Sequence, residues 1–435
     1  MNKKLSLAVA SAVMAFGASG ANAGIILPAG DWTIDIGGNA NAYYTNTRFS
    51  GDLKSKVDGA PSHQTSNMIS TGLLPSALGI GGKTRQNDLD ISFQVTFFTG
   101  INSNGGMGSS SGLAGAAGAD GGSLNIRQSF LTFGDKSWGT VKMGRDLGLF
   151  GSDAILSDMT LLGVGQGGGG SGSSTLGRIG SGYLYADWVG QIQYASPNWN
   201  GFSFAGALRE PWANSGNHDL GFDGKVSYDW AGDVSGKVWV GGIHQKLKTM
   251  AVGATSGTPA SVFLTTGGGP STIVNPGTPG TSAVPSVSKT AEAWEIGGKV
   301  AVAGFGLVGY YYDGKNIGLP VIVHSGVTPA TGLFLGATSD HDVRGGYVQG
   351  TYTIPGPGTK VGLSWGESIF DKNSSDGAGA GNFKDESWVL GVYHPLTKSL
   401  NLVAEYTDTK YKNIGLAKSI DGKARTMALG AILFF

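Results

Sequence analysis

Any covalent or metal chemistry in this chain would have to come from six histidines, His63, His218, His244, His324, His341 and His394, because there is no cysteine. Without cysteine there is no thiolate nucleophile, no thiolate zinc site and no disulfide. A serine nucleophile needs a base within hydrogen-bond reach and a third group to orient that base. The histidines stand singly, most in expected loops or near strand ends, and none belongs to a Ser/His/Asp arrangement. Asp340-His341-Asp342 places three ligand types in a row, but adjacent residues in a solvated loop do not surround an ion. Gly79-Ile80-Gly81-Gly82-Lys83-Thr84 has the glycines and lysine of a phosphate-binding loop without its spacing or its following helix. The chain is therefore expected not to be an enzyme and to need no cofactor and no metal.

The elements that carry the remaining polar residues follow from composition and period. Charged residues make up 14% of the 435, against about 25% in ordinary soluble domains. Glycine is abundant, at 77 residues, yet aromatics reach 10% and run the whole length, which disordered chains do not show. Lys+Arg and Asp+Glu are each 30, a balance that gives no reason to expect nucleic acid as a partner. Alternation at period two, the geometry of strands, recurs throughout. Leu89, Ile91, Phe93, Val95 and Phe97 oppose Asp90, Ser92, Gln94 and Thr96. Trp32, Ile34, Ile36, Ala40, Ala42 and Tyr44 oppose Thr33, Asp35, Asn39, Asn41 and Tyr43. Phe222, Val226, Tyr228 and Trp230 oppose Asp223, Lys225, Ser227 and Asp229, and Leu400, Leu402, Ala404 and Tyr406 oppose Asn401, Val403, Glu405 and Thr407. Met427, Leu429, Ala431, Leu433 and Phe435 share a face in the last strand.

Such strands build either a soluble sandwich, with the apolar face as core, or a membrane barrel, with the apolar face toward lipid and the polar face toward water. Three features select the barrel. The strands run about ten residues, the length of a tilted bilayer crossing. Aromatics collect near strand ends, as interfacial girdles require. Short turns near 79–85, 134–137, 196–201, 231–235, 301–304, 354–359 and 395–399 alternate with long connections near 45–65, 100–123, 146–183, 211–219, 247–289, 313–341, 370–384 and 408–423. That pattern predicts an all-β, transmembrane antiparallel barrel of sixteen strands, with short periplasmic turns and long external loops. The second strand is expected near 66–78, across Pro75, and the eleventh near 305–312.

Residues 1–23 have Lys3 and Lys4, an apolar run from Leu5 to about Phe16, and Ala21-Asn22-Ala23 at the end. They read as a secretory signal peptide cut between Ala23 and Gly24, leaving 24–435 as a single barrel domain. At the other end, Phe435 closes an alternating strand. It is placed at a bilayer interface, in a strand that pairs with the first and abolishes both edges.

Four stretches together resemble the Gram-negative general porins, trimeric sixteen-stranded outer-membrane channels: "RQSFLTFGDKSWGTVKMGRDLGLFGSD", "GRIGSGYLYADWVGQIQYASPNWNGFSF", "LGVYHPLTKSLNLVAEYTDTKY" and the terminal phenylalanine. The resemblance implies passive diffusion of small hydrophilic solutes and ions through a water-filled lumen. It also implies a homotrimer, an outer membrane with lipopolysaccharide as surroundings, and Phe435 as a signal to the barrel-insertion machinery. A third external loop would fold into the lumen, here from about Asp146 to Gly177, carrying Asp146, Asp153 and Asp158. Opposite it, a basic wall would comprise Arg127, Arg145, Arg178, Lys142 and Arg85. Strict alternation puts Arg145 on the apolar face with Val141 and Met143, so a bulge at Gly144 is expected to re-aim it. The loop tip departs from the family: "LLGVGQGGGGSGSS" has no carboxylate after Asp158. The alternative on the same barrel is a substrate-selective channel for sugars or organic anions, with Tyr43, Tyr183, Tyr185 and Tyr393 as a candidate aromatic track. An adhesive barrel, using the loops at 45–65 and 247–289, is a third reading.

Overall fold

The computed structural model describes residues 24–55, 65–101, 125–166, 174–211, 219–248, 288–317, 341–371, 382–412 and 421–435. The expected signal peptide, including Ala23, and much of the external loops lie outside these ranges. The strands are β1 (Ile25–Ala29), β2 (Trp32–Gly51), β3 (Thr65–Ser70), β4 (Ser76–Gln86), β5 (Leu89–Thr99), β6 (Asn125–Asp135), β7 (Gly139–Leu147), β8 (Trp188–Ala195), β9 (Phe202–Arg209), β10 (Gly221–Trp230), β11 (Val234–Lys248), β12 (Ser288–Val302), β13 (Phe305–Lys315), β14 (Asp342–Thr353), β15 (Lys360–Phe370), β16 (Phe383–Pro395), β17 (Leu400–Lys412) and β18 (Gly422–Phe434).

Each strand pairs antiparallel with its neighbour, and β18 pairs with β2 from Gly422↔Gly51 to Phe434↔Asn39. The sheet is therefore closed. Leaving aside the short β1 and counting β3 and β4 as one interrupted crossing gives the sixteen strands of a transmembrane barrel. Phe435 completes the seam: Gly38 donates to its carbonyl at 2.8 Å and its own amide donates to the Gly38 carbonyl at 3.1 Å. The short β1 adds a hairpin on the other half of β2. Among the described residues no helix is long and apolar enough to cross a membrane.

The expected alternation decides which way side chains face. Met427, Leu429, Leu433 and Phe435 are exposed on the outside, whereas Thr426, Ala428 and Ile432 are buried inside. Outward aromatics pair near the short-turn end, as Tyr194–Phe204 and Phe305–Tyr352, and farther toward the loop end, as Trp294–Tyr311 and Trp365–Trp388. Beyond Trp365 and Trp388 the outer face becomes ionic. Lys384 meets Glu367, Lys410 meets Glu386 at 3.0 Å, and Arg425 meets Asp408 at 2.9 Å. These pairs mark the end of the hydrocarbon, where charges regain water.

Two expectations for the second strand need correction. Residues 79–85 are strand, and the turn falls at Asn87 and Asp88, both with positive φ. Nor is the strand continuous over 66–78. It breaks between β3 and β4, just before and at Pro75, whose missing N–H cannot serve a ladder. Segment 71–75 turns inward instead, burying Leu73 and Leu74. Asn41 of β2 repairs the gap: its side chain accepts from Gly72 N at 3.0 Å and donates to Leu74 O at 3.0 Å. The eleventh crossing, β13, runs over Phe305–Lys315, as expected at its start and slightly longer at its end.

Replacing Leu429 with Arg places a charge on the lipid face and should cost about 2–4 kcal/mol of membrane-inserted stability. Replacing its inward neighbour Thr426 with Ser should not. Refolding into liposomes, read by heat-modifiable gel mobility, separates the two variants.

Candidate functional site

Between β7 and β8, residues 148–166 and 174–187 enter the barrel instead of standing outside it. The two roots of this loop are joined by Gly148 N donating to Asp187 O at 2.9 Å. Between them lie a short helix α1 (Ser152–Ser157) and a 3-10 turn (Met159–Leu162). An irregular chain in this position must find a partner for each buried peptide group. The inward faces of the strands supply many of them.

Three wall carboxylates catch amides of the loop. Asp223 of β10 accepts from Leu149 N at 3.0 Å, and Arg209 of β9 meets the same oxygen at 3.3 Å. Glu295 of β12 accepts from Gly151 N and from the Tyr310 hydroxyl, each at 2.8 Å. Glu405 of β17 accepts from Val164 N at 2.8 Å, Gly165 N at 2.7 Å and the Tyr393 hydroxyl at 2.6 Å. Neutral groups complete the set. Tyr347 OH donates to Ala154 O at 2.8 Å, Gln349 bridges Met159 N and Ser157 O, and Tyr43 OH donates to Leu162 O at 2.6 Å. The inward-turned 71–75 segment adds Leu73 N to Gly163 O at 2.9 Å. Gly163 is required at this spot, since a Cβ would lie 2.0 Å from a Glu405 oxygen. The tip that lacks its own carboxylate thus receives one from the wall.

The loop carboxylates do not face arginines across water, as the resemblance implied. Asp153 is held by two lysines, Lys225 at 2.5 Å and Lys237 at 2.7 Å. Burial raises its pKa, but the two ammoniums outweigh that and hold it well below the usual carboxylate range. Asp158 is buried and used within the loop. It accepts from Thr160 N at 2.9 Å and from the Tyr183 hydroxyl at 2.7 Å. Asp146, still in β7, pairs with Lys142 and accepts from Gln128 at 2.9 Å.

The expected basic wall is also redistributed. Arg178 lies on the loop rather than the wall, because β8 begins only at Trp188. It is fully buried and donates to the carbonyls of Ser181 and Ser387, each at 3.3 Å. Arg85 lies at the short-turn end, exposed, with Asp90 at 2.8 Å and Asp135 at 3.0 Å. The bulge expected at Gly144 is absent: Met143, Gly144 and Arg145 pair in unbroken register with Leu131, Phe130 and Ser129. Gly144 is needed for close approach, because a Cβ would sit 2.3 Å from Ser129 O. Gly144 nevertheless takes a positive φ of 126°, and Arg145, though it shares the parity of outward Met143, reaches the buried loop root. The bulge occurs instead on β6, where the register shifts beyond Thr96↔Gln128 and turns Arg127 inward over the Phe98 ring at 5.1 Å. Arg127, Arg145 and Arg209 all act on Asp187 at the loop root. Burial raises the pKa of that carboxyl, and their charges offset this only in part.

Sequence reasoning placed Asp223, Lys225 and Glu405 on polar strand faces without giving them a role, and it did not single out Arg209, Lys237, Glu295 or Lys299. Tyr43, Tyr183 and Tyr393 are buried under the loop and do not form an open aromatic track. Among the described residues no three metal-ligating side chains cluster. The arrangement fixes a loop inside a polar lumen and leaves inward lysines in reach of water.

The profile of the Gram-negative porin family matches residues 10–414. The outer membrane channel DcaP of Acinetobacter baumannii is similar in structure, with 14% identity over 94% of this chain and 99% of that one, at a TM-score of 0.58. An anion-selective porin from Comamonas acidovorans shows 14% identity over 93% and 100%, at 0.56. In-vitro-folded OmpT from Vibrio cholerae, in a trimer form, shows 14% over 93% and 99%, at 0.52. At such identities the likeness shows the fold. No curated protein sequence matches the chain.

Replacing Glu405 with Ala should free Val164 N and Gly165 N and orphan the Tyr393 hydroxyl while the barrel stays closed. Losing hydrogen bonds to a charged group should speed amide exchange at 164 and 165 by about tenfold or more. Hydrogen exchange resolved to that peptide, against unchanged exchange in β16 and β18, checks this.

Proposed function

The chain belongs to the Gram-negative porin family and is an outer-membrane channel; on that premise we propose that it passes small hydrophilic solutes and ions by passive diffusion. The observation that carries this reading is the loop 148–187, tied inside the barrel by Asp223, Glu295 and Glu405. A loop held this way narrows a passage, which suits passive diffusion. The family and fold point to a channel rather than an enzyme.

In this reading Arg127, Lys142 and Asp146 shape the field at the loop root, while Arg178 and Asp158 hold the loop together from within. Asp153 ties it to the wall, and Arg85 belongs to the short-turn rim. Phe435, at the closing seam, is proposed as the mark read by the insertion machinery, and Ala23–Gly24 as the cleavage point of the exported precursor. A homotrimer is the proposed assembly, in keeping with the trimer form recorded for the Vibrio cholerae relative. Lipid and lipopolysaccharide are the proposed surroundings of the outward apolar belt and its ionic rim.

Selectivity for organic anions is the second reading, favoured by one observation. Lys83, Lys299 and Lys360 share the inward-facing parity of their strands, and none has an ion-pair partner among the described residues. Purified protein in a planar bilayer should give stepwise, ohmic conductance in potassium chloride, with flux rising linearly with solute concentration. No steps would overturn the channel reading, and saturable flux for one solute class would replace general diffusion with selectivity. Light scattering in detergent, corrected for bound detergent, should return three protomers; one protomer would overturn the trimer.

A further inference from the structure

Lys237 of β11 and Lys299 of β12 are direct partners in the ladder and share the inward face. Directly opposed residues have Cβ atoms about 4.5–5.5 Å apart, and like charges in that position repel. Lys225 of β10 adds a third ammonium. One carboxylate, Asp153, contacts two of the three, at 2.5 Å and 2.7 Å. Asp229 is registered opposite Lys237 on the other side but is exposed and enters no ion pair among the described residues. Glu295 accepts from Tyr310 and Gly151 N through one oxygen and acts on Lys225 through space, without an ion-pair contact among the described residues. Lys299 itself is exposed on the inward face and enters no ion pair among the described residues, with Asp153 and Asp229 reaching it only through space.

A second observation lies beside the pair. The Trp239 ring lies across Gly297, where a Cβ would sit 2.1 Å from it, two residues from Lys299 on the same face. This tryptophan is buried and its Nε1–H has no acceptor among the described residues, which is uncommon for a buried donor. Among the described residues, Lys299 and the Trp239 N–H lack the same thing, an acceptor, and the Lys237 ammonium has donors beyond the one it gives Asp153.

We infer that Lys237 and Lys299, with Lys225 and the Trp239 indole beside them, form a binding site in the lumen for small dianions bearing two anionic oxygens. This rests on the channel reading. A dianion bridges the opposed lysines and removes their repulsion. Chloride satisfies only one at a time, and an uncharged sugar satisfies neither. Lys225 stays on Asp153 and Lys237 shares its donors between Asp153 and the solute, so the exposed Lys299 is the group that captures it. Compact phosphate and a short dicarboxylate share this chemistry, and the assay distinguishes them.

Single channels in potassium chloride, titrated at about pH 8, where phosphate carries close to two charges, with either phosphate or succinate at constant chloride, should show a saturable fall in conductance. Lys299→Gln should raise the half-blocking concentration roughly tenfold or more, the loss expected for one charge-assisted contact. Lys299→Glu should abolish the block. Lys360→Gln, which removes an inward lysine from β15, should shift it less than about twofold. Block by one dianion alone identifies that class, and block by both identifies the shared chemistry. A channel that conducts in steps yet shows no saturable block overturns the site, as does equal loss from Lys299→Gln and Lys360→Gln. Absence of steps defeats the channel reading instead. Calorimetric titration of the detergent-solubilised protein with phosphate and with succinate then decides the site alone: heat lost in Lys299→Gln upholds it, and no heat with either dianion overturns it.

Discussion

A backbone that leaves the sheet and runs through the inside of a barrel must still pair its peptide groups, and this constraint orders the lumen. Residues 148–166 and 174–187 are largely buried, so the wall supplies partners that water supplies at a surface. Asp223, Glu295 and Glu405 each present an oxygen to amides of the loop, while Tyr43, Tyr347 and Gln349 present neutral groups. The carboxylates suit the task because a charged acceptor binds an N–H more strongly than a neutral one. Those at 295 and 405 are each steadied by a tyrosine hydroxyl. Polarity inside the barrel thus serves two purposes: part of it fixes the loop, and part remains for solutes.

The outside obeys the opposite demand. Hydrocarbon accepts no unpaired backbone group, so the sheet closes on itself through β18 and β2 and shows lipid mainly apolar side chains along the central belt. Where charges reappear, in the Glu367–Lys384–Glu386–Lys410 chain, they appear in pairs.

The barrel was legible in the sequence because alternation is a local property that every strand repeats. Strand faces, the alternation of short and long connections, and the closing role of the last strand follow from period two and from turn residues. The first turn was misplaced because Gly79, Gly81 and Gly82 look like a turn, though here they lie in a strand with large side chains close against it, Phe93 over Gly82 among them. The site was less legible. That 148–187 turns inward came from resemblance, and its partners are contacts between residues far apart in the chain, such as Glu405 with Val164. Charge type alone misled for Arg178, which is buried in the loop. For Arg127, nothing local signals the register shift that turns it inward. The lysines at 237 and 299 meet only because β11 and β12 align, across a connection that carries no sequence mark of their register.

The gap in the second crossing gives the cylinder an uneven circumference. Apart from the register shift between β5 and β6, the other described strands are laced by main-chain rungs, but at 71–76 two side chains, those of Asn41 and Ser76, do the lacing. A hoop yields first where its stitching is thinnest. Because Leu73 at that spot also grips Gly163, any flexing of the wall there is felt at the tip of the segment inside, so the most compliant arc of the shell and the width of the passage are mechanically one.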